Sequence, residues 1–414
     1  MYLERSITNR LKVLVESFPV VVVSGARQVG KSTLIRHVFA DIENYVVFDP
    51  TVDIENARQD PDLFLDNRKP PAILDEVQYA PELVSAIKRR IDRDRSPGQY
   101  ILTGSQQWHV LSSMAESLAG RAVFLDLEGL SLAEIAQSPR ISGWIERWLE
   151  DPQGFFESPP NRLDLARTTY EQIWRGMLPE AQFLREQTIA DFHAAYQRTY
   201  IERDVRLLGD ISDWQLFGRF VRLMGALTAQ EMNYSQIGRE LGLTAQTARR
   251  WLAMLQATFQ WFELPAYSGN TIKRVSGKPK GHLADSGVAC NALAISSPSA
   301  LGGHPCWGAL FETIVVGEIR KQIAAVGVRA NLYHWRSHGG AEVDIVLEKD
   351  GVYFPMEVKA SSHPGRGDAR GLAAFRETYP HLNTAPGLII APCENAYAVT
   401  REDRCIPWDC EKSS

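Results

Sequence analysis

The first residues able to do chemistry form a glycine-bounded loop near the amino terminus. The loop Gly25-Ala-Arg-Gln-Val-Gly-Lys31-Ser32 follows a continuous β-branched run, Val20 to Val23. The backbone N–H groups of such a loop point inward at phosphate oxygens, and a Cβ at the glycines would crowd them. Lys31 then reaches the β and γ phosphates, and the Ser32 hydroxyl holds Mg²⁺. The pattern predicts a P-loop with these candidate nucleotide ligands: Gly25, Ala26, Arg27, Gln28, Val29, Gly30, Lys31, Ser32 and Thr33.

A second chemical pattern is an apolar run that ends in two acids, Pro71-Ala-Ile-Leu-Asp75-Glu76. An Asp at the end of a parallel strand lies beside the P-loop, where Asp75 coordinates Mg²⁺ through water. Glu76 is then the general base that polarises a water for attack on the γ phosphate. The alternative is a strand that ends in a solvated acidic turn, and the nearby P-loop favours catalysis over it. A base that positions water also favours hydrolysis over phosphate transfer.

Further candidates for contact with the phosphates follow the next apolar runs. Thr103 and Ser105 end the run that starts at Tyr100, where they serve either as γ-phosphate sensors or as caps of the next helix. Arg121 precedes the run Val123 to Leu127, where it either senses phosphate or forms a surface ion pair. The sequence leaves both choices open.

A third pattern lies in the last third of the chain. Asp344 and Glu357-Val-Lys359 lie in two apolar runs joined by Asp350-Gly351, a strong hairpin signal. Asp344 and Glu357 are candidate ligands for a second Mg²⁺ or Mn²⁺, and Lys359 orients or activates the attacking water. The alternative is an ordinary hairpin with a surface Glu–Lys pair.

The middle of the chain predicts two short helices joined by a tight turn at Gly242, with Ser235 and Thr244 as their N-caps. The segment Leu264 to Ala284 has four basic residues and no acid before Asp285, which is suited to a basic β wing. Such a winged helix either contacts DNA or serves as a packing module. The candidate nucleic-acid contacts are Gln246, Arg249, Arg250, Lys273 and Arg274, and Lys278 and Lys280 complete the basic surface.

These residues need a scaffold of alternating strands and helices. Apolar strands at Val20, Tyr45, Ile73, Tyr100 and Val123, with a helix at Glu82 to Arg93, predict a parallel sheet with ligands at the strand C-termini. The chain has 414 residues, 44% of them hydrophobic and 23% charged, which excludes wholesale disorder and predicts about three domains. The net charge of -5 means that any nucleic-acid contact comes from local patches.

The remaining composition bears on location. No run approaches the ~18 uncharged apolar residues of a membrane helix, and the start lacks a signal-peptide pattern. We therefore expect a cytoplasmic protein with no membrane partner. The five cysteines are odd in number and never spaced C-x-x-C, which suggests neither a disulfide framework nor a zinc site.

The motifs GARQVGKSTL, AILDEVQ, YILTGS and SLAGR, between about Tyr2 and Glu134, resemble the AAA-type ATPase domain of a widespread bacterial and archaeal family. That family pairs the domain with a C-terminal domain of unknown function that resembles a restriction-endonuclease fold. The resemblance implies the AAA+ strand order and Mg-ATP as the nucleotide. The D...E-x-K arrangement resembles the PD-(D/E)XK nuclease superfamily, although Val343 stands where that name has Pro. In that superfamily a helix before the strands often contributes a further Glu, so the resemblance implies Glu312, rather than Glu318, as a further metal ligand.

The expected fold class is α/β, with a P-loop AAA+ parallel-sheet core, a helical and winged-helix middle and a restriction-endonuclease-like C-terminal domain. The expected division is 1–138 for the ATPase, 139–215 for a helical linker or lid, 216–284 for the winged helix and 285–414 for the nuclease-like domain. Within the second segment, the stretch from Leu163 to Gly209 is predicted to be helical and amphipathic. Two functions stay open: a Mg-ATP hydrolase coupled to DNA binding or processing, and a regulatory ATPase whose nuclease-like domain is a non-cutting scaffold. The partners are ATP and, in the first case, DNA, and a homo-oligomer is left open.

Overall fold

The computed structural model describes residues 2–49, 54–106, 118–137, 143–200, 204–205, 208, 211–270, 272, 274 and 277–410. The chain forms two compact units. The first comprises 1–129, 199–209 and 253–260, and the second comprises 130–198, 210–252 and 261–414. The expected boundary after residue 138 lies outside the described residues, and those after 215 and 284 fall within the second unit. The four-domain division remains a prediction.

The first unit is built on a parallel sheet. Its strands are β1 (Val20–Ser24), β2 (Asn44–Val47), β3 (Ala72–Asp75), β4 (Tyr100–Gly104) and β5 (Ala122–Asp126). Their spatial order is β2-β3-β4-β1-β5, and every pairing is parallel. The helices are α1 (Thr8–Ser17), α2 (Lys31–Val38), α3 (Glu55–Gln59), α4 (Pro61–Asp66) and α5 (Glu82–Arg93). The predicted α/β core with a parallel sheet is confirmed.

Apolar burial explains why this sheet forms where the sequence placed it. Every residue of β1, β3 and β4 is buried, as expected for parallel strands covered on both faces. Helix α5 buries Leu83, Ile87 and Ile91 at helical spacing against the same core. Because β4 lies between β1 and β3, the P-loop and the acidic strand are separated by the strand that ends in Thr103 and Gly104.

The second unit contains helices, a small antiparallel sheet and a larger mixed sheet. Its helices are α6 (Leu132–Ile135), α7 (Trp144–Glu150), α8 (Pro152–Glu157), α9 (Thr169–Arg175), α10 (Ile189–Tyr200, whose last two residues join the first unit), α11 (Trp214–Ala226), α12 (Tyr234–Leu241), α13 (Ala245–Ala257, whose last turn joins the first unit), α14 (Ser286–Ala292), α15 (Pro298–Gly302), α16 (Trp307–Val326) and α17 (Arg370–Thr378). The small sheet has the order β6 (Gln230–Glu231), β8 (Lys280–Leu283), β7 (Trp261–Leu264).

The larger sheet carries the predicted hairpin. Its strands are β9 (Asn331–Arg336), β10 (Glu342–Lys349), β11 (Val352–Val358), β12 (Asn383–Thr384), β13 (Gly387–Ala391), β14 (Tyr397–Ala398) and β15 (Asp403–Pro407). Strands β10 and β11 pair antiparallel across Asp350 and Gly351, which both have positive φ, so the hairpin prediction is confirmed. Strands β11, β13 and β15 pair in parallel.

Two local expectations for the middle of the chain are wrong. The stretch from Leu163 to Gly209 does not form the predicted continuous helical segment. Helix α9 ends at Arg175, the following Gly176 has a positive φ of 78°, and α10 begins only at Ile189. Ser235 is not the N-cap of α12, because Asn233 accepts the hydrogen bond from the Gln236 amide at 3.2 Å. Thr244 does cap α13, through the Thr247 amide at 3.0 Å.

Candidate functional site

The P-loop runs from the end of β1 into the first turn of α2. Gly25 is required there, because a Cβ at this position would lie 2.1 Å from the Leu127 carbonyl oxygen. Gly30 caps α2 with a left-handed φ of 95°. Lys31 is buried, and its ammonium donates to the carbonyls of Gly25 at 2.9 Å and Ala26 at 3.0 Å. The P-loop backbone therefore binds the Lys31 ammonium through two of its own carbonyl groups.

The P-loop residues differ in exposure. Ser32 is half-buried in the first turn of α2, directly after Lys31. Gln28 and Thr33 are exposed, and Val29 is buried. Burial lowers the pKa of the Lys31 ammonium, while Glu76, Asp204 and Asp75 oppose that shift.

The acidic pair at the end of β3 is held by neighbouring side chains. The hydroxyls of Tyr45 and Thr103 donate to the two carboxylate oxygens of Asp75, which is 1% exposed. Thr103 also accepts the Glu76 amide at 2.9 Å, and the Gln78 side chain donates to the Glu76 carboxylate. Thr103 thus contacts both acids, which is consistent with a positioning role.

Glu76 has a strained backbone at this edge. Its φ of 58° is left-handed, a conformation that non-glycine residues adopt mainly where the surrounding structure enforces it. Its carboxylate is half-buried. Ser105, the other candidate sensor, accepts from the Gln78 side chain at 3.2 Å, so it supports Glu76 indirectly.

A side chain that the sequence reasoning missed also lies at the P-loop. Asp204 accepts two hydrogen bonds from the Arg27 guanidinium, at 2.8 and 3.0 Å, and is 1% exposed. Burial lowers the pKa of Arg27, but the Asp204 carboxylate outweighs this and raises it above its ordinary value. No local signal identifies Asp204, because it is 177 residues from Arg27 in the chain.

Of the two roles left open for Arg121, the structure favours the surface ion pair over contact with phosphate. Arg121 precedes Ala122, which pairs with Val20 at the start of β1, whereas the P-loop follows Ser24 at the other end of that strand. Four residues of strand separate the two edges by about 13 Å. The Arg121 guanidinium instead forms a two-bond ion pair with Asp92, at 2.6 and 3.1 Å.

The donors at the P-loop edge suit Mg-ATP. The Ser32 hydroxyl and the buried Asp75 carboxylate are hard oxygen ligands of the kind that Mg²⁺ takes, beside the ammonium of Lys31. Gly25 lets the loop pass close to the Leu127 carbonyl, which a Cβ would meet at 2.1 Å. These residues therefore fit a metal-bound triphosphate.

The predicted second metal site brings its acids together, but around a lysine. The Lys280 ammonium lies 2.8 Å from Glu312 Oε1 and 2.9 Å from Asp344 Oδ1. The other Asp344 oxygen accepts the Val358 amide at 2.9 Å. Glu357 Oε1 accepts from Lys359 at 2.6 Å. Within the described part of the chain, no group of three or more His, Cys, Asp or Glu side chains is arranged to hold a metal ion.

Burial controls the charges in this cluster. Burial and the nearby Asp344 raise the pKa of Glu312 to about 8, against the opposing effect of Lys280. Burial, again with Asp344, raises the pKa of Glu357 well above its ordinary value. Burial alone would lower the pKa of Lys280, but Asp344 and Glu312 raise it, so the ammonium stays charged. The residues present do not fit the predicted second Mg²⁺ or Mn²⁺.

Lys280 also corrects the expected basic surface. It is 7% exposed and turned inward, so it contributes nothing to a basic wing. Arg274 stacks on the Tyr267 ring at 4.5 Å and lies 3.7 Å from Glu348. Lys273 lies outside the described residues.

Other predicted residues fall as follows. Gln246, Arg249 and Arg250 are exposed on the first turns of α13, and the Arg249 guanidinium lies 4.7 Å from the Tyr234 ring. Glu318, the alternative to Glu312 as a ligand, accepts the Leu132 amide at 3.2 Å.

None of the helices in the described ranges combines the length and the apolar character that crossing a membrane requires.

Comparison with known proteins bears on the first unit directly. Residues 17–136 match the AAA domain family. The match supports an AAA-type ATPase. Residues 166–299 match a domain of unknown function (DUF8612), and residues 307–410 match another (DUF4143). The AAA match covers the P-loop and both acids, whereas neither of the other two matches assigns an activity.

Whole-chain relatives carry no described activity in their names. The chain is 26% identical over 407 residues to the uncharacterized protein Rv2008c of Mycobacterium tuberculosis, covering 98% of this chain and 83% of that protein. The uncharacterized protein Mb2031c of Mycobacterium bovis gives the same values.

Solved structures give weaker likenesses. The Walker-type ATPase PABY2304 of Pyrococcus abyssi has a TM-score of 0.41 and 14% identity, covering 70% of this chain and 96% of that one. The RuvB Holliday junction branch migration motor of Thermotoga maritima has a TM-score of 0.32 and 15% identity, covering 64% and 90%. Both TM-scores are below 0.5 and establish no shared fold.

Proposed function

We propose that the first unit is a Mg²⁺-dependent ATP hydrolase. The observation that carries this is the buried Lys31 ammonium, wrapped by the P-loop and electrostatically coupled to Glu76 and Asp75. One edge of the sheet therefore carries a phosphate cradle, hard oxygen ligands and a carboxylate base. The AAA domain match over residues 17–136 supports the same reading.

Each residue has a distinct role in this mechanism. The P-loop amides and Lys31 bind the β and γ phosphates, which fixes the γ phosphorus relative to Glu76. Ser32 and Asp75 would hold Mg²⁺, which supplies positive charge at the phosphate oxygens. Glu76 orients a water and accepts its proton as the oxygen attacks. Thr103 and Tyr45 hold Asp75 in place through the hydroxyl contacts described above.

Replacement of the P-loop lysine tests the proposal. Lys31→Ala removes the cation that meets the phosphates, so phosphate release from ATP should fall at least about 100-fold. The matched control is Lys12→Ala, an exposed lysine on α1 in the same unit, which should turn over ATP like the unchanged protein. Equal rates in the two variants would refute the assignment.

For the second unit, the proposed role is a binding module that does not cut nucleic acid. Support comes from Lys280, which takes the carboxylate oxygens that a nuclease metal would need. We expect the full chain to cleave neither single- nor double-stranded DNA or RNA with Mg²⁺ or Mn²⁺, with or without ATP. Metal-dependent cleavage that Asp344→Ala abolishes would favour the DNA-processing enzyme instead.

DNA contact through α13 is part of the same proposal. Gln246, Arg249 and Arg250 are exposed on its first turns, the region that enters a major groove in helix-turn-helix proteins. Arg250→Ala should weaken binding to a labelled duplex, and the slope of affinity against salt should fall by about 1. Arg219→Ala, an exposed arginine on α11, is the control. Identical anisotropy curves for both variants would remove α13 from the interface.

A further inference from the structure

The cluster around Asp344 has the charge pattern of a metal site, but its cation belongs to the chain itself. Two carboxylates from different elements, Glu312 on α16 and Asp344 on β10, converge on one ammonium at 2.8 and 2.9 Å. The side chains of Lys280, Glu312 and Asp344 are 9%, 13% and 7% exposed. Carboxylates from separate elements that share one buried cation are the arrangement in which proteins hold hard divalent ions.

The backbone around Asp344 supports this convergence. The pairing of β9 with β10 is regular up to Val343 and resumes at Val346, so Asp344 lies in an irregularity of the ladder. Such irregularities redirect a side chain and are over-represented next to active sites. The Asp344 carboxylate also accepts the Val358 amide at 2.9 Å, which fixes its free oxygen toward Lys280.

Strand β8 determines where Lys280 points. Lys280 pairs with Glu231 of β6 and Leu264 of β7. The next residue, Gly281, faces Trp261, since a Cβ there would lie 2.1 Å from the indole. Lys280 and His282 therefore share the opposite face. His282 contacts Thr313 of α16 at 3.1 Å, which keeps this face against the helix that carries Glu312.

Solvent reaches the cluster. A cavity of about 330 Å³ is lined by Lys280 and Glu312, together with Glu231, Glu342 and Arg336. An ion entering this cavity would meet acids, but it would also meet an ammonium already bonded to the two carboxylates. Coulomb repulsion between like charges in a partly buried site opposes a second cation there.

We infer that Lys280 is the resident cation of the Glu312–Asp344 pair, and that it keeps a latent divalent-cation site from binding metal while β8 is in place. Removing the ammonium frees both carboxylates for a metal ion. Lys359 does not replace it, because it bonds to Glu357. The inference concerns the second unit alone and does not depend on ATP hydrolysis by the first.

Titration of the nucleotide-free full chain with Mn²⁺ tests the inference. The unchanged protein and Asp344→Asn should give the same binding isotherm, because Asp344 takes no metal while Lys280 is present. Lys280→Met removes the ammonium charge and keeps most of the aliphatic side chain. This variant should gain a saturable Mn²⁺ site that binds at least about tenfold more tightly than any Asp344-dependent binding in the unchanged protein. The double variant Lys280→Met with Asp344→Asn should lose that site.

Thermal unfolding provides a second readout. Lys280→Met leaves buried carboxylates without a counter-ion, so its Tm should fall, and Mn²⁺ should raise it again. Lys280→Met with Glu312→Gln also removes one of the two carboxyl groups that would bind the metal, and its Tm should depend less on Mn²⁺. A folded Lys280→Met variant that gains no Mn²⁺ site overturns the inference.

The unchanged protein decides the matter even if Lys280→Met fails to fold. Mn²⁺ binding by the unchanged protein that Asp344→Asn removes would overturn the inference. Isotherms that do not differ between those two proteins would support it.

Discussion

Tyr45 and Thr103 come from two strands that flank β3, and their hydroxyls contact both oxygens of Asp75. A carboxylate held on both sides cannot rotate freely, so its orientation toward the P-loop is fixed before nucleotide arrives. Thr103 additionally accepts the Glu76 amide at 2.9 Å. One hydroxyl thus fixes the positions of both acids, which makes Thr103 a positioning residue.

Thr103→Val should separate positioning from binding. The change keeps the shape and removes the hydroxyl, so kcat for ATP hydrolysis should fall by about 10- to 100-fold. ATP affinity should change little, because the P-loop is untouched. Steady-state phosphate release at several ATP concentrations measures both. Thr378→Val, at an exposed site on α17, is the control, and a matching kcat in the two variants would contradict the role.

Asp204 places a negative charge where a triphosphate must bind. It pairs with Arg27 at 2.8 Å, and its charge acts on Lys31. Asp204→Asn should therefore tighten ATP binding, by roughly 5-fold for the loss of about 1 kcal/mol of repulsion. Asp92→Asn breaks the Arg121–Asp92 pair, which lies at the opposite end of β1 from the P-loop, and should leave the Kd for a fluorescent ATP analogue unchanged. Weaker binding by Asp204→Asn would contradict this expectation.

Residue-level prediction from the sequence succeeded for motifs and failed for distant partners. Each P-loop and acid candidate is defined by its immediate neighbours, and the structure places Lys31, Asp75 and Glu76 at one edge. Tyr45 lies 30 residues from Asp75, Lys280 lies 64 from Asp344, and Asp204 lies 177 from Arg27. Contacts across such separations depend on sheet order and strand register, which no local pattern contains.

At the scale of elements, β8 makes stability depend on pH. Burial, together with Lys280, Arg320 and His334, lowers the pKa of His282 well below its ordinary value. The folded state therefore keeps a neutral imidazole while the unfolded chain takes up a proton below about pH 6.5. Stability from this group is present above that pH and is lost as the pH falls.

His282→Gln should flatten this acid limb. Without His282, the unfolded chain takes up as many as one proton fewer on unfolding at low pH. The unfolding free energy should therefore fall less steeply below pH 6.5, by at most about 1.4 kcal/mol per pH unit. Urea unfolding of both proteins between pH 7.5 and 5 measures the difference. His381→Gln, a histidine beyond α17, serves as the control. Parallel pH profiles for His282→Gln and the unchanged chain would show that His282 does not titrate as described.

Element prediction was accurate where one strong signal dominated. Helix α5 spans Glu82–Arg93 as expected, and the Asp350-Gly351 turn joins β10 and β11. The prediction of a helical stretch from Leu163 to Gly209 is wrong in part, because Gly176 and Pro179 interrupt its amphipathic pattern. The prediction that Lys280 belongs to a basic surface is wrong, because composition alone does not show whether a lysine side chain is buried or exposed.

For the whole molecule, the AAA match and the two domains of unknown function lie on one chain, and the two mycobacterial relatives align over 407 residues. The first unit carries the residues proposed for ATP hydrolysis, and the second carries a carboxylate cluster with its own lysine counter-ion. This division is the one that the proposed ATPase with a non-cutting binding module requires.

The central claim is that Glu76 is the base at an ATP site built by Lys31 and Asp75. Phosphate release and bound ATP, measured together in the unchanged chain and in Glu76→Gln, test it most directly. We expect Glu76→Gln to bind ATP at least as well while its turnover falls by about 100-fold or more. Equal turnover in the two proteins, or no turnover in the unchanged chain, would contradict the account.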